Sequence, residues 1–257
     1  MADDGTIDLM GGGFTRGMLA EMEQKMLLEV FSAHIESVTG KINDGKEATV
    51  YQCRAKPGRG VDWYAAKVYR ARRFRGFANN AEYTDTGRLR DRRMAKAIRK
   101  GTRTGRQASQ RLWVDQEWAA MTALHEAGAS VPVPVNHGPD AVLMEFVGTD
   151  GEPAPMLTRV RLDPEAARQA YESLKRDVAL LLDCGLVHGD LSAYNVLYQA
   201  GRPRLIDLPQ AVSLDGALDA WALFHRDVEN LGDYFRRQGL DVDVTGDALT
   251  LWSRHAF

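Results

Sequence analysis

The alternation of apolar and polar residues predicts a first lobe that combines a small sheet with two helices. Apolar residues recur at helical intervals over residues 17–35 and again over 107–128, which predicts one helix in each range. Between them, runs rich in β-branched and aromatic residues predict a meander of three strands, at Ser37–Ile42, Ala48–Arg54 and Trp63–Tyr69.

Two more strands and a linker are predicted next along the chain. VPVPVNHG and AVLMEFVG, residues 131–138 and 141–148, have the composition of short strands. The Pro- and Gly-rich stretch TDGEPAPM then predicts a linker, and we place a lobe boundary near residues 146–155.

The remaining pattern predicts a mainly helical second lobe. Asp163 and Pro164 are residue types that favour a helix N-cap and first position, so a helix is expected from there to about Cys184. A hairpin through Gly201 and a helix over about 215–238 follow.

Composition restricts the protein class. A chain of 257 residues with 44% apolar and 26% charged residues can form one large core or two lobes that share a cleft. Cys53 and Cys184 are far apart and lack partners at metal-ligand spacing, which argues against a disulfide framework or a zinc site. No apolar run approaches the roughly 18 residues that a membrane span needs. We therefore expect a cytoplasmic protein without a membrane partner.

Positive charge is concentrated in one segment, residues 70–111. It holds 14 Lys and Arg against three acids, although the whole chain has a net charge of -2. Its Gly and Asn residues favour a flexible loop. Such a segment is either a solvated basic surface or a binding surface for RNA, a ribosomal particle or an acidic protein.

Candidate catalytic residues lie in the stretch LVHGDLSAYNVLY, residues 186–198. Asp190 follows His188 by two residues, and Asn195 follows Asp190 by five. Alone this is a weak signal, because a buried His beside an Asp often only satisfies backbone groups. Asp207 comes directly after a second apolar strand, however, and phosphoryl transfer needs one Asp at the acceptor with an Asn and an Asp on Mg²⁺.

The first lobe supplies a cation for the phosphates. Lys67 is flanked by apolar residues in the strand YAAKVY, where a buried ammonium needs an anionic partner. Glu117 falls on the inner face of the next predicted helix, so the two side chains can form the Lys–Glu pair of protein kinases.

These motifs resemble, in order and spacing, those of the RIO family of atypical serine/threonine protein kinases. The motifs are GKEATVY, AAKVY, WVDQEW, MEFVG, PAPML, HGDLSAYNVLY and LIDLPQAV. The resemblance implies an α+β, two-lobed protein-kinase-like fold with an extra N-terminal helix and a reduced, mostly helical C-lobe. The expected divisions are a flexible N-terminus at 1–13, an N-lobe at 14–148 with the basic flexible loop at 70–111, a C-lobe at 149–257, and a RIO kinase domain over 14–239 overall.

The resemblance also implies ATP and Mg²⁺ (or Mn²⁺) as cofactors and a protein substrate, or the chain itself, as acceptor. In this view Asp190 is the catalytic Asp, Asn195 and Asp207 bind the metal, and Asp207 can itself accept phosphate. The residues expected to bind the nucleotide are Lys67 and Glu117 as the positioning pair, Gly45, Lys46 and Glu47 in the phosphate-binding loop, and Glu145 and Val147 through linker backbone groups.

Two departures from ordinary protein kinases keep alternatives open. Ser192 stands where those kinases place a Lys that neutralises the transferring phosphoryl group, so ATP hydrolysis with autophosphorylation could dominate over transfer to other proteins. Gly189 gives HGD, which also begins the catalytic loop of kinases acting on aminoglycosides and choline. A small-molecule phosphotransferase is therefore the main alternative, and a binding module without turnover is a third.

Overall fold

The computed structural model describes residues 7–8, 13–14, 16–45, 48–69, 96–98, 100, 102–214 and 219–255. Its helices are α1 (Arg16–Val30), α2 (Arg103–Glu126), α3 (Pro164–Asp183), α4 (Ala220–Arg237) and α5 (Val244–Ser253). Its longer strands are β3 (Ile35–Asp44), β4 (Ala48–Ala55), β5 (Trp63–Tyr69), β6 (Pro134–His137), β7 (Ala141–Glu145), β11 (Val196–Gln199) and β12 (Arg202–Leu205). Two-residue strands are β1 (Ile7–Asp8), β2 (Gly13–Phe14), β8 (Gly148–Thr149), β9 (Glu152–Pro153), β10 (Leu186–Val187) and β13 (Val212–Ser213). This α+β architecture has the predicted order of elements.

The first lobe is a five-stranded antiparallel sheet in the order β3-β4-β5-β7-β6, covered on both faces. Ala66 and Val68 of β5 pack with Leu27 and Phe31, in and just after α1, in one core cluster. Ala65 and Tyr69 face the opposite side, toward α2 and the second lobe. Because β5 is central and buried on both faces, its sequence is nearly continuous in apolar residues.

Helix α2 begins at Arg103, four residues before the predicted start. Thr102 caps it by accepting a hydrogen bond from the N–H of Gly105 at 3.1 Å. A Cβ at Gly105 would lie 2.1 Å from the carbonyl oxygen of Ala97, so this glycine permits close packing and does not break the helix. Residues 103–111 of the predicted basic loop are thus helical, whereas 70–95, 99 and 101 lie outside the described residues.

The second lobe contains α3, the β11–β12 hairpin, α4 and α5. Asp163 caps α3 as predicted, accepting from the N–H of Ala166 at 2.8 Å. Helix α4 begins at Ala220, and residues 215–218 of its predicted range lie outside the described residues. The pattern did not predict α5, a short helix whose Trp252 ring packs 5.2 Å from that of Phe224 on α4. No helix in the described part of the chain combines the length and apolarity of a bilayer span.

Asp177 joins the two lobes. It lies on the apolar face of α3, is 3% exposed, and accepts a hydrogen bond at 2.9 Å from the N–H of Ser130, which precedes β6. Burial raises the pKa of the Asp177 carboxyl to about 6, although the hydrogen bonds from Ser130 oppose the shift. The junction between the lobes therefore contains a carboxylate that is costly to ionise.

We expect Asp177→Asn to be more stable than the wild type at neutral pH. A carboxyl with a folded pKa above its unfolded value of about 3.9 stabilises the fold below that value and loses this contribution as the pH rises to about 6. The amide keeps an acceptor for Ser130 without ionising. Denaturant unfolding should show a gain on the order of 2 kcal/mol at pH 7.5 that shrinks toward pH 4.5. Glu165→Gln, at an exposed acid of the same helix, is the control. A pH-independent difference for Asp177→Asn would contradict this account.

Candidate active site

Three predicted residues meet in one ion-paired group between the lobes. Lys67 lies on the central strand β5 and is 7% exposed. Its Nζ donates to Oε1 of Glu117 on α2 at 2.6 Å and to Oδ1 of Asp207, just after β12, at 2.7 Å. Sheet, helix and hairpin thus each contribute one charged side chain to the same place.

The pKa values of the three ionisable side chains shift in different directions. Burial alone would lower the pKa of Lys67, but the Asp207 and Glu117 carboxylates outweigh it and hold that pKa above its ordinary value. Burial, reinforced by the Asp207 charge, raises the pKa of Glu117. Burial also acts to raise the pKa of Asp207, but the Lys67 ammonium outweighs it and lowers that pKa. Asp207, whose side chain is 41% exposed, is therefore the carboxylate best able to meet a cation arriving from the cleft.

The backbone around Asp207 fixes its position. Asp207 has a φ of 69°, a left-handed conformation that Asp adopts more readily than most residues. The following Leu208 is 1% exposed, and its N–H donates to Glu117 Oε1 at 3.3 Å. Because Leu-Pro-Gln follows Asp207, we expect this aspartate not to swing, and that stays a prediction.

Asp190 and Asn195 lie at the neighbouring edge. The amide Nδ2 of Asn195 donates to the backbone oxygen of Asp190 at 2.8 Å, and the N–H of Ile206 donates to the backbone oxygen of Asn195 at 3.0 Å. Because Val196 pairs with Leu205, the β11–β12 hairpin brings Asn195 and Asp207 to its same end. Burial, with the nearby Asp207 charge, raises the pKa of Asp190, which suits a proton acceptor.

Backbone conformation and close packing both require a glycine at position 189. Its φ is +80°, and a Cβ at this position would lie 2.6 Å from the carbonyl oxygen of Gln210. The loop carrying Asp190 therefore packs directly on the loop after Asp207. This contact accounts for the glycine in His-Gly-Asp, so that glycine does not by itself indicate a small-molecule substrate.

Sequence reasoning missed the group that holds the Asp190 loop. Asp227 of α4 is 2% exposed and accepts from the N–H of Gly189 at 2.7 Å and of Leu191 at 2.9 Å. Asn230 donates to the backbone oxygen of Leu191 at 3.0 Å, and Arg226 donates to that of Gly189. The signal in the sequence was an acid among the apolar positions of the predicted helix. A carboxylate at such a position is buried, and a buried carboxylate needs hydrogen-bond donors.

Asp227→Ala should lower stability and disorder the Asp190 loop. It leaves two buried N–H groups without an acceptor, at a cost of about 2–5 kcal/mol. Denaturant unfolding measures the loss. Asp233→Ala removes a 50% exposed acid from the same helix, whose salt bridge among the described residues is with Arg236, and it should cost less than about 1 kcal/mol. Similar losses for the two variants would contradict the assigned role of Asp227.

The linker residues are placed next to the site. Glu145 ends β7, and its N–H donates to Val133 O at 2.9 Å. Its carboxylate accepts two hydrogen bonds from Arg204 of β12, at 3.2 and 2.6 Å. The sequence did not predict this contact. The backbone oxygen of Val147 accepts from Ala154 at 2.9 Å, while its N–H meets no acceptor within the described ranges. Adenine binding by these groups stays a prediction.

The predicted phosphate-binding loop is described only in part. Gly45 lies in the turn between β3 and β4, and its N–H donates to the carbonyl oxygen of Ala48 at 3.0 Å. Lys46 and Glu47 lie outside the described residues.

The oxygen donors fit a metal that binds together with a nucleotide. Within the described residues, no three His, Cys, Asp or Glu side chains gather into a metal cage. Mg²⁺ is usually held by one or two protein ligands plus substrate phosphates, so Asp207 and Asn195 suffice. Asn195 directs its amide nitrogen to Asp190, which leaves its amide oxygen for a cation.

Comparison with known proteins agrees with this geometry. The family model for the RIO domain matches residues 49–248. A RIO-type serine/threonine-protein kinase Rio1 from Haloferax volcanii is 35% identical over 222 residues, covering 86% of this chain and 70% of that protein. A serine/threonine-protein kinase RIO1 from Chaetomium thermophilum is 30% identical over 251 residues, covering 93% of this chain and 46% of that protein. The chain thus spans less than half the length of the second relative.

Solved structures show the same fold. The Rio2 kinase from Chaetomium thermophilum superposes with a TM-score of 0.61 at 25% identity, covering 93% of this chain and 69% of that one. The ADP/Mg²⁺-phosphoaspartate complex of Rio2 kinase from the same organism gives a TM-score of 0.61 at 24% identity, covering 93% and 68%. The two-lobed kinase-like fold is confirmed, and by its sequence the chain belongs to the RIO family of serine/threonine-protein kinases.

Proposed function

We propose that this chain transfers the γ-phosphate of ATP, with Mg²⁺, to Ser or Thr hydroxyls of a protein or of itself. The observation that carries the proposal is Lys67, held between Glu117 and Asp207 beside the hairpin that presents Asn195. A buried ammonium with two carboxylates and an adjacent amide is the donor set that a triphosphate–metal complex needs.

Each residue has a separate task. Lys67 positions the phosphates, and Glu117 fixes Lys67. Asn195 and Asp207 would hold Mg²⁺, which supplies positive charge to the phosphate oxygens when bound. Asp190 orients the acceptor hydroxyl and takes its proton, a task favoured by its raised pKa.

Phosphorylation of Asp207 itself is the second outcome we propose for this site. A carboxylate oxygen of Asp207 forms a bond to the γ-phosphorus, and the bond to the β,γ-bridging oxygen breaks as ADP leaves. Ser192 stands where ordinary kinases have a Lys. It supplies no positive charge to stabilise the phosphoryl group during transfer to another acceptor. The resulting acyl phosphate reacts with hydroxylamine, unlike phosphoserine.

The basic segment 70–111 is proposed as a binding surface for RNA or a ribosomal particle. The support is its charge, an excess of 11 positive residues. Most of the segment lies outside the described residues, so the proposal rests on sequence.

Following the label from [γ-³²P]ATP tests the proposed function. The purified chain is incubated with Mg²⁺ and a protein acceptor, an aminoglycoside or choline. Label on protein, either acid-stable on Ser/Thr or hydroxylamine-labile on Asp, supports the proposal. Label only on the small alcohol would instead assign a small-molecule phosphotransferase, and no turnover with retained binding would assign a binding module.

A further inference from the structure

A cavity of about 570 Å³ lies outside the candidate active site. Its walls come from α3, from the β11–β12 turn and from Ser130 of the first lobe. None of Lys67, Glu117, Asp190 or Asp207 lines it. A volume of this size accepts a ligand of several non-hydrogen atoms.

Three arginines surround this cavity, which we call the arginine pocket: Arg168 and Arg176 on α3 and Arg202 at the start of β12. All three are exposed, and in the described part of the chain none has a salt-bridge partner. Glu172 also lines the pocket, but its carboxylate is paired with Lys175 at 2.9 Å. The pocket thus has three exposed arginines that make no salt bridge among the described residues.

Hydrogen-bonding groups accompany the charge. Gln169 and Ser173 of α3 line the pocket, and so does Ser130, which precedes β6. Arginine forks joined by hydroxyl and amide groups match the tetrahedral oxygens of a phosphate monoester. A phosphate monoester carries a charge of about -1.5 to -2 on one group, whereas each phosphate of an RNA backbone carries a single charge, so a compact cavity with three arginines suits the monoester better.

The pocket is connected to the site by short covalent and hydrogen-bonded paths. Ser130 accepts from the N–H of Leu205 at 2.7 Å, and Leu205 precedes Asp207 by two residues. On the same strand Arg204 holds the carboxylate of the linker residue Glu145. An anion bound to Arg202 and to the arginines of α3 would therefore hold β12 against α3.

We propose that the arginine pocket binds a phosphate monoester, carried either by a phosphorylated protein segment or by a small metabolite. This binding does not depend on the proposed kinase activity. It adds a second anion site to the chain, separate from the nucleotide cleft and in contact with the strand that positions Asp207.

Isothermal titration calorimetry on the whole chain tests the pocket. The nucleotide cleft is first saturated with a non-hydrolysable ATP analogue and Mg²⁺, so that probe binding reports other sites. The probes are O-phosphoserine, a phosphoserine peptide and the same peptide without phosphate. The pocket variant is Arg168→Gln with Arg202→Gln. The control is Arg161→Gln with Arg237→Gln, which removes the same charge at exposed positions outside the pocket.

The proposal expects both phosphorylated probes to bind and the pocket variant to weaken them at least tenfold, with the control within twofold of wild type. Tighter binding of the peptide identifies a phosphorylated protein, whereas equal binding identifies a small phosphate ester. The proposal is overturned if the phosphate makes no difference to peptide binding, or if both double variants weaken binding equally. A short RNA that binds more tightly than the peptide and loses affinity in the pocket variant alone would also overturn it, in favour of a nucleic-acid site.

Discussion

Asp190→Ala should lower the rate of phosphoryl transfer about 10²- to 10⁴-fold while ATP binds with nearly wild-type affinity. Asp190 is proposed to act on the acceptor hydroxyl. Among the described residues its carboxylate hydrogen-bonds to Asn195 and Gln210, at 3.5 Å each, and not to Lys67. Its backbone oxygen, which holds Asn195, is kept in the variant. Single-turnover rates and ATP titrations measure the two quantities separately.

Asp241→Ala, at an exposed acid of the second lobe, is the matched control and should leave both quantities unchanged. A fall in ATP affinity as large as the fall in rate would show that Asp190 serves the nucleotide and not the acceptor.

Asp207→Asn should reduce Mg²⁺-dependent turnover by about 10³-fold. The amide is isosteric but carries no charge, so it loses both the attraction for the metal and the ion pair with Lys67 at 2.7 Å. It also cannot accept phosphate, and hydroxylamine-labile label should disappear. Asp241→Asn is the isosteric control. Wild-type turnover by the Asp207 variant would show that the metal is held elsewhere.

The sequence alone predicted site residues at positions where the surrounding residues leave a side chain few possible roles. A Lys inside an apolar strand needs an anion, and Glu117 and Asp207 are the anions that the structure provides. The order of motifs then matched the RIO family, which supplied the fold. The bounds of β5 followed because it is apolar apart from Lys67, and those of β4 because its residues alternate between buried and partly exposed.

The sequence was insufficient where the partner is a backbone group or a distant surface. Asp227 binds two N–H groups 36 and 38 positions away, and no periodicity specifies such a pairing. Arg204 and Glu145 are 59 positions apart and meet only after β7 and β12 are placed. Helix α5 is short and contains Gly246, so its apolar pattern is weak, and its stability depends on packing against α4.

The central claim is that the Lys67–Asp207 group, with Asn195, binds the phosphates of ATP through a divalent metal. Measuring the ATP Kd of the wild-type chain with saturating Mg²⁺ and with EDTA tests it most directly. The account predicts that Mg²⁺ tightens ATP binding at least about tenfold, or 1.4 kcal/mol, and that Asp207→Asn abolishes this difference. An ATP Kd that is the same in Mg²⁺ and in EDTA would contradict it.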